Sequence, residues 1–121
     1  MKNLTKSIED YIEAIYMIEL EKGNIKSVDI SSKLGVSKPA VNKAMNELNR
    51  LNLIEKTNYS DIVFTDEGRK LAKKIYDKHM LIYEFLLTIG VSKENASIDC
   101  CKIEHVISDE TAKCMKKFLK K

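Results

Sequence analysis

Apolar residues recur at helical spacing from the start of the chain. Ile8, Tyr11, Ile12, Ile15, Tyr16 and Ile18 make one stripe, with Glu9, Asp10 and Glu13 at its margins. This pattern predicts a helix from about Ser7 to Glu21, stopped by Lys22-Gly23-Asn24. A shorter periodic stretch, Val28, Ile30 and Leu34, predicts a second helix closed at Gly35, which suits the left-handed conformation that ends helices. Val36 turns inward, Ser37 is placed to cap the next helix, and Pro39 falls in its first turn. In that third helix Val41, Met45 and Leu48 bury one face, leaving Ser37, Lys38, Ala40, Asn42, Lys43 and Asn46 on the other. The period then changes. Asn52 to Lys56 and Ile62 to Thr65 read as antiparallel strands around a turn at Asn58-Tyr59-Ser60-Asp61.

Thr65 caps a further helix, which Leu71, Ile75, His79, Ile82, Leu86 and Ile89 carry to Gly90, about six turns. Two more helices are expected near Glu94 to Val106 and Ser108 to Leu119. Helix, tight glycine-containing turn and a helix with a polar N-terminal half make a helix-turn-helix, whose second helix enters the DNA major groove. An ordinary helical hairpin shares part of this pattern, but the short turn and the residues opening the second helix favour DNA. The strand pair that follows is a wing. A helix as long as the fourth outgrows a DNA-binding unit and leads to a dimerisation layer, since a two-fold DNA site needs a dimer. The expected fold is mainly α: a winged helix-turn-helix DNA-binding domain over residues 1–70, then an all-helical dimerisation and metal-binding domain over 71–121.

Composition changes this picture little. With 121 residues, four Gly and one Pro, the chain fits one mostly helical domain, or one with a helical extension. Its 21 basic and 18 acidic residues give +3, too small to imply a nucleic-acid partner by itself. The local distribution says more: Lys26, Lys33, Lys38, Lys43, Arg50 and Lys56 lie in or beside the helix-turn-helix, where they would neutralise phosphates. Three cysteines, Cys100, Cys101 and Cys114, show no pairing pattern and fit a reducing compartment. No apolar run is long enough for a membrane, and the first residues lack the apolar core of a signal peptide, so a cytoplasmic location is expected.

The chemistry-bearing residues are few. Cys101, Glu104 and His105 stand at i, i+3 and i+4, on one face of the expected helix, and Asp10 and Glu13 are paired at i and i+3 on the first helix. His79 and His105 are the only two histidines. A thiolate, imidazoles and carboxylates together suit a divalent transition metal such as iron, manganese, cobalt, nickel or zinc. Each residue also has an ordinary role: Cys101 as a small core residue, Asp10 and Glu13 as first-turn acids, Glu104 as a lysine partner, His79 as a core histidine. The case for a site rests on the set.

The chain resembles the diphtheria-toxin-repressor family of metal-activated transcriptional repressors, which includes the manganese-transport regulators. The resemblance runs through Glu9-Asp10-Tyr11-Ile12-Glu13-Ala14-Ile15-Tyr16, Gly35-Val36-Ser37-Lys38-Pro39-Ala40-Val41, Thr65-Asp66-Glu67-Gly68, Lys78-His79 and Cys101-Lys102-Ile103-Glu104-His105-Val106-Ile107-Ser108-Asp109. It implies a metal held by Asp10, Glu13, His79, Cys101, Glu104 and His105. Cys101 matches a position that is Cys in the iron-responsive branch and Glu in the manganese-responsive one, whereas Glu13 matches a carboxylate of the manganese branch. The ancillary metal site of the iron branch needs Glu and His where this chain has Tyr83 and Ile98, so that site is expected to be absent or rebuilt. With its last residue at Lys121, the chain is expected to resemble the short, two-domain manganese regulators.

The resulting expectation is a homodimeric, metal-dependent repressor of iron or manganese homeostasis genes, binding operator DNA through Ser37, Lys38, Pro39, Ala40, Asn42 and Lys43. Iron(II) or manganese(II) is the expected ion, iron slightly ahead because of the thiolate; zinc, cobalt or nickel would bind in vitro. A thiol-based redox regulator using Cys100, Cys101 or Cys114 is the alternative. A metal hydrolase with Glu13 or Glu104 as base is disfavoured, because an enzyme has no need of the helix-turn-helix.

Overall fold

The computed structural model describes residues 4–56 and 61–120. The chain divides into two compact units, Met1–Lys73 and Lys74–Lys121, the division falling within one long helix.

The first unit holds α1 (Lys6–Lys22), α2 (Ser27–Leu34), α3 (Lys38–Arg50), β1 (Ile54–Lys56), β2 (Ile62–Phe64) and the opening turns of α4 (Asp66–Thr88). α1, α3 and α4 begin where a side chain satisfies a free backbone N–H, whereas α2, preceded by Lys26, has no side-chain cap. The Thr5 hydroxyl accepts from the N–H of Ile8 at 3.2 Å, and the Ser37 hydroxyl accepts from that of Ala40 at 3.2 Å. Between α2 and α3, Gly35 takes φ +65°, and its N–H and that of Val36 both donate to the Ser31 carbonyl. Ile30, Val41, Ala44, Met45 and Leu48 pack with Tyr11, Ile12, Ala14, Ile15 and Ile18 to form the core, so α1, α2 and α3 close as a three-helix unit.

One sequence expectation changes here. Val28 is 54% exposed. It lies two positions from Ile30, about 200° around the helix, so only one of the two can face inward. The expected turn from Asn58 to Asp61 falls, but for Asp61, outside the described residues.

The strands pair antiparallel, with Ile54 opposite Phe64 and Lys56 opposite Ile62. Ile62 also donates its N–H to the Ile25 carbonyl at 2.9 Å, fastening the wing to the link before α2. Asn52, at φ +62°, makes the turn from α3 into β1. Thr65 joins strand to helix. Its hydroxyl donates to the Asn52 carbonyl at 2.8 Å and accepts the N–H of Gly68 at 3.0 Å. A Cβ at Gly68 would stand 1.9 Å from the Leu53 carbonyl oxygen, so only glycine lets α4 approach β1 this closely. Arg69 donates to Glu19 at 2.7 and 3.3 Å and lies over the Phe64 ring.

In the second unit α4 continues to Thr88, Gly90 turns the chain at φ +102°, and α5 (Lys93–Ile103) and α6 (Asp109–Leu119) follow, capped by Ser92 and Ser108. Its buried apolar residues among those described are Ile75, Ile82, Ala96 and Cys100. Phe85 meets Phe118 edge to face at 5.6 Å, but α6 buries no residue fully. Ile89, expected to extend the buried stripe of α4, lies beyond the helix end and is 55% exposed. The helix expected to run to Val106 ends at Ile103. Among the described residues no helix is long and apolar enough to cross a membrane.

Candidate metal centre and nucleic-acid interface

α4 supplies His79, and the last turn of α5 with its C-cap supplies Cys100, Cys101 and Glu104. The turn after α5 is tied back to α4 by Lys78, whose ammonium donates to the Ile107 carbonyl at 3.2 Å. Glu104 keeps helical dihedrals as the C-cap, φ −58° and ψ −25°, and its N–H still donates to the Cys100 carbonyl. Its side chain is therefore aimed as the final turn of a helix would aim it.

Glu104 is the buried charged residue among those described. Its Oε1 lies 2.9 Å from His79 Nδ1, and the two side chains are 2% and 14% exposed. Its other oxygen, Oε2, is buried and has no hydrogen-bond partner among the described residues. A buried carboxylate oxygen left this way costs on the order of 1–3 kcal/mol or more, so such groups usually have a reason to exist. One donor atom each from His79, Cys101 and Glu104 falls within 4.8 Å of the others. Oxygen, nitrogen and sulfur converging around an unsatisfied carboxylate oxygen fit a divalent transition metal. The residues present fit the ion that the sequence resemblance implies.

His105 lies in the turn that follows α5, where the backbone continues with the N–H of His105 donating to the Lys102 carbonyl and that of Ile107 to the Ile103 carbonyl. Asp10 and Glu13 belong to the first unit, on α1; Asp10 Oδ2 lies 3.2 Å from the Lys6 ammonium, and Glu13 is half-buried.

Cys100, which the sequence offers only as a redox candidate, also lies beside His79. It is fully buried, and its Sγ lies 3.7 Å from both ring nitrogens of His79. His79, Cys100 and Cys101 likewise place one donor atom each within 4.8 Å of the others. Two adjacent cysteines before a Glu were the available signal; helical geometry alone, which turns successive residues about 100° apart, argued against using both.

The residues proposed to meet DNA sit at and after the N-terminus of α3. Ser37 is the N-cap; Lys38, Pro39, Asn42 and Lys43 are exposed and Ala40 is half-buried. Two of the basic residues singled out nearby are engaged within the unit, Lys33 with Glu21 at 3.4 Å and Arg50 with Glu47.

Residues 3–62 match the family model of the iron-dependent repressor N-terminal DNA-binding domain, and residues 65–121 match that of the iron-dependent repressor metal-binding and dimerisation domain. The transcriptional regulator MntR of Escherichia coli O6:H1 is 38% identical over 114 residues, which span 94% of this chain and 74% of that protein. This chain belongs to the diphtheria-toxin-repressor and MntR family. Another family relative, an uncharacterized HTH-type transcriptional regulator of Methanocaldococcus jannaschii, is 37% identical over 120 residues, covering 98% of this chain and 96% of the other. The solved structure of the manganese regulator SloR is similar at a TM-score of 0.83 and 30% identity, over 97% of this chain and 55% of that one. The chain thus spans about half the length of that solved relative.

Proposed function

We propose that this family member is a metal-dependent DNA-binding transcriptional repressor, a homodimer that controls iron or manganese homeostasis genes from the cytoplasm. The observation that carries this reading is the buried, unsatisfied Glu104 Oε2 beside His79 and Cys101. Asp10, Glu13 and His105 enter the ligand set on the family resemblance.

A bound divalent ion supplies the positive charge that lets these donors sit together. The protein's part is to hold them. Lys78 anchors the turn that carries Glu104, and Glu104 in turn fixes the orientation of the His79 ring. Without the ion, a buried carboxylate oxygen lacks a partner and the arrangement is disfavoured; the donors thereby favour the state that binds the ion. If that same state presents the α3 residues to DNA, binding of the ion and of DNA are coupled, each strengthening the other by the same factor. On α3 the exposed Lys38 and Lys43 suit phosphates, Pro39 and Ala40 suit thymine methyls, and Asn42 suits a base edge. The apolar residues left exposed on the second unit, among them Ile98, Val106 and Phe118, suit burial against a second copy.

For the ion, the Cys101 sulfur favours iron over manganese, whereas Asp10 and Glu13 favour manganese. The relatives divide in the same way, between iron-dependent repressor domains and a manganese regulator.

The test is DNA-binding anisotropy on metal-free protein titrated with manganese(II), zinc(II) and, under anaerobic conditions, iron(II). Affinity should rise with metal and fall on chelation, and Glu104→Ala should remove the response to manganese(II). Affinity indifferent to every metal, but altered by oxidant, would replace this reading with the redox one.

A further inference from the structure

We infer that the centre offers two donor sets that share His79 and Cys101, and that Cys100 is a metal ligand in the second of them. This inference rests on the metal-regulator reading and deepens it by assigning the site a way to sort ions.

The first set uses the Glu104 carboxylate with His79 and Cys101, one donor atom of each lying within 4.8 Å of the others. The second is His79, Cys100 and Cys101, which satisfies the same proximity through two sulfurs and one nitrogen. In this second set Glu104 changes its role. A carboxylate oxygen 2.9 Å from Nδ1 holds the proton on that nitrogen, which leaves the Nε2 lone pair to face a metal. Carboxylate, histidine and metal in a row are a common way to orient a ligating imidazole.

Bond lengths of ~2.0–2.1 Å to nitrogen and ~2.3 Å to sulfur put tetrahedral donors roughly 3.3–3.8 Å apart. Cys100 Sγ is already 3.7 Å from His79 Nε2. It is equally far from Nδ1, so it lies alongside the ring instead of on a nitrogen axis. With the ring held by Glu104, rotation of the Cys100 and Cys101 side chains about Cα–Cβ is the adjustment required. The Cys100 thiol now points towards the Ser97 carbonyl at 3.4 Å, a weak contact for coordination to replace. On binding, each thiol releases its proton to solvent and the sulfur lone pair forms the metal bond.

The two sets differ in hardness. Two thiolates and an imidazole favour zinc, cobalt or cadmium, whereas the Glu104 set retains oxygen character that manganese needs. A thiophilic ion is therefore held with Glu104 outside its coordination shell, and a hard ion with Cys100 outside. Occupancy by the wrong ion leaves Glu104 oriented differently from occupancy by the right one.

The decisive measurement is X-ray absorption on the full wild-type chain loaded with cobalt(II) alone, counting sulfur neighbours. Two sulfurs are expected; a single sulfur overturns the inference. Cobalt titrations followed by thiolate-to-cobalt charge-transfer absorption provide the variant arm. The band should fall to about half in both Cys100→Ser and Cys101→Ser. An unchanged band in a folded Cys100→Ser or Cys100→Ala protein, judged by circular dichroism, overturns it as well. Metal-stimulated DNA binding is measured separately on wild type. One sulfur together with metal-stimulated DNA binding overturns this inference and leaves the repressor reading. Two sulfurs with no metal-stimulated DNA binding sinks the repressor reading and supports the two-thiolate site.

Discussion

The two units of this chain are built to different standards of completeness. In the first, every element contributes to one apolar centre: Ile12, Ile15, Ile30, Val41, Met45, Leu48, Leu53, Ile54 and Ile62 are at most 1% exposed. In the second, burial of apolar side chains among the described residues is confined to Ile75, Ile82, Ala96 and Cys100. Its final helix buries nothing fully, and Ile89, Ile98, Val106 and Phe118 are more than half exposed. The first unit is held by its own hydrophobic core. The second buries less apolar surface of its own and holds a buried carboxylate oxygen, Glu104 Oε2, with no hydrogen-bond partner among the described residues; on the proposed reading its stability depends on what binds to it. A sensor needs that dependence, and a DNA-reading scaffold does not.

The sharpest way to break the contrast is to remove one buried side chain from the first unit and one exposed side chain from the second. Leu48→Ala should cost about 3–4 kcal/mol in urea denaturation. Phe118→Ala should cost less than about 1 kcal/mol in dilute protein. It should instead shift the sedimentation-equilibrium average towards monomer. Equal losses in denaturation would refute the contrast.

Next in size is Gly68→Ala. With a backbone oxygen 1.9 Å from the new carbon, α4 or β1 has to move, at a cost of about 3 kcal/mol. An unchanged denaturation midpoint would show that this corner is looser than its geometry implies.

Metal sharpens the comparison from the other side. Free ion at a hundred times its dissociation constant should stabilise the native state by about 2.7 kcal/mol, seen as a higher melting temperature. Hydrogen exchange should slow chiefly in α5 and the end of α4, and with manganese(II) as the ion Glu104→Ala should abolish both effects. Protection appearing only in α2 and α3 would place the ion elsewhere.

The smallest effect belongs to pH. Asp29 accepts a hydrogen bond from Lys22 at 2.8 Å, which lowers its pKa below the ordinary 3.8. A depressed carboxylate pKa adds stability above the unfolded-state pKa, and that contribution disappears as pH falls through the folded-state value. Asp29→Asn should therefore match wild type in strong acid and be slightly less stable near neutrality. Both partners are close to solvent, so the difference should be near the detection limit and shrink with salt.

Much of the first unit was legible because its signals are local. Gly35, Ser37, Pro39 and Thr65 act through hydrogen bonds and dihedrals within a few residues, and the structure has them where the sequence put them. Val28 misled because apolar character was counted without its angle around the helix. The second unit was harder to read for a physical reason. Neither Gly nor Pro marks the end of α5, so nothing in the periodicity distinguishes Ile103 as the last helical residue from Val106. What distinguishes Cys100 is its distance to His79, twenty-one residues earlier, and no local pattern encodes that.

One oxygen atom decides how the corner at Thr65 tolerates change. The hydroxyl both gives a hydrogen bond to Asn52 and takes one from Gly68, so its donor and an acceptor position are committed together. Valine has nearly the same shape and would silence both at once. Serine lacks the methyl group yet would keep both. At this position chemical kind outranks size, and a scan ranked by volume would order the substitutions backwards.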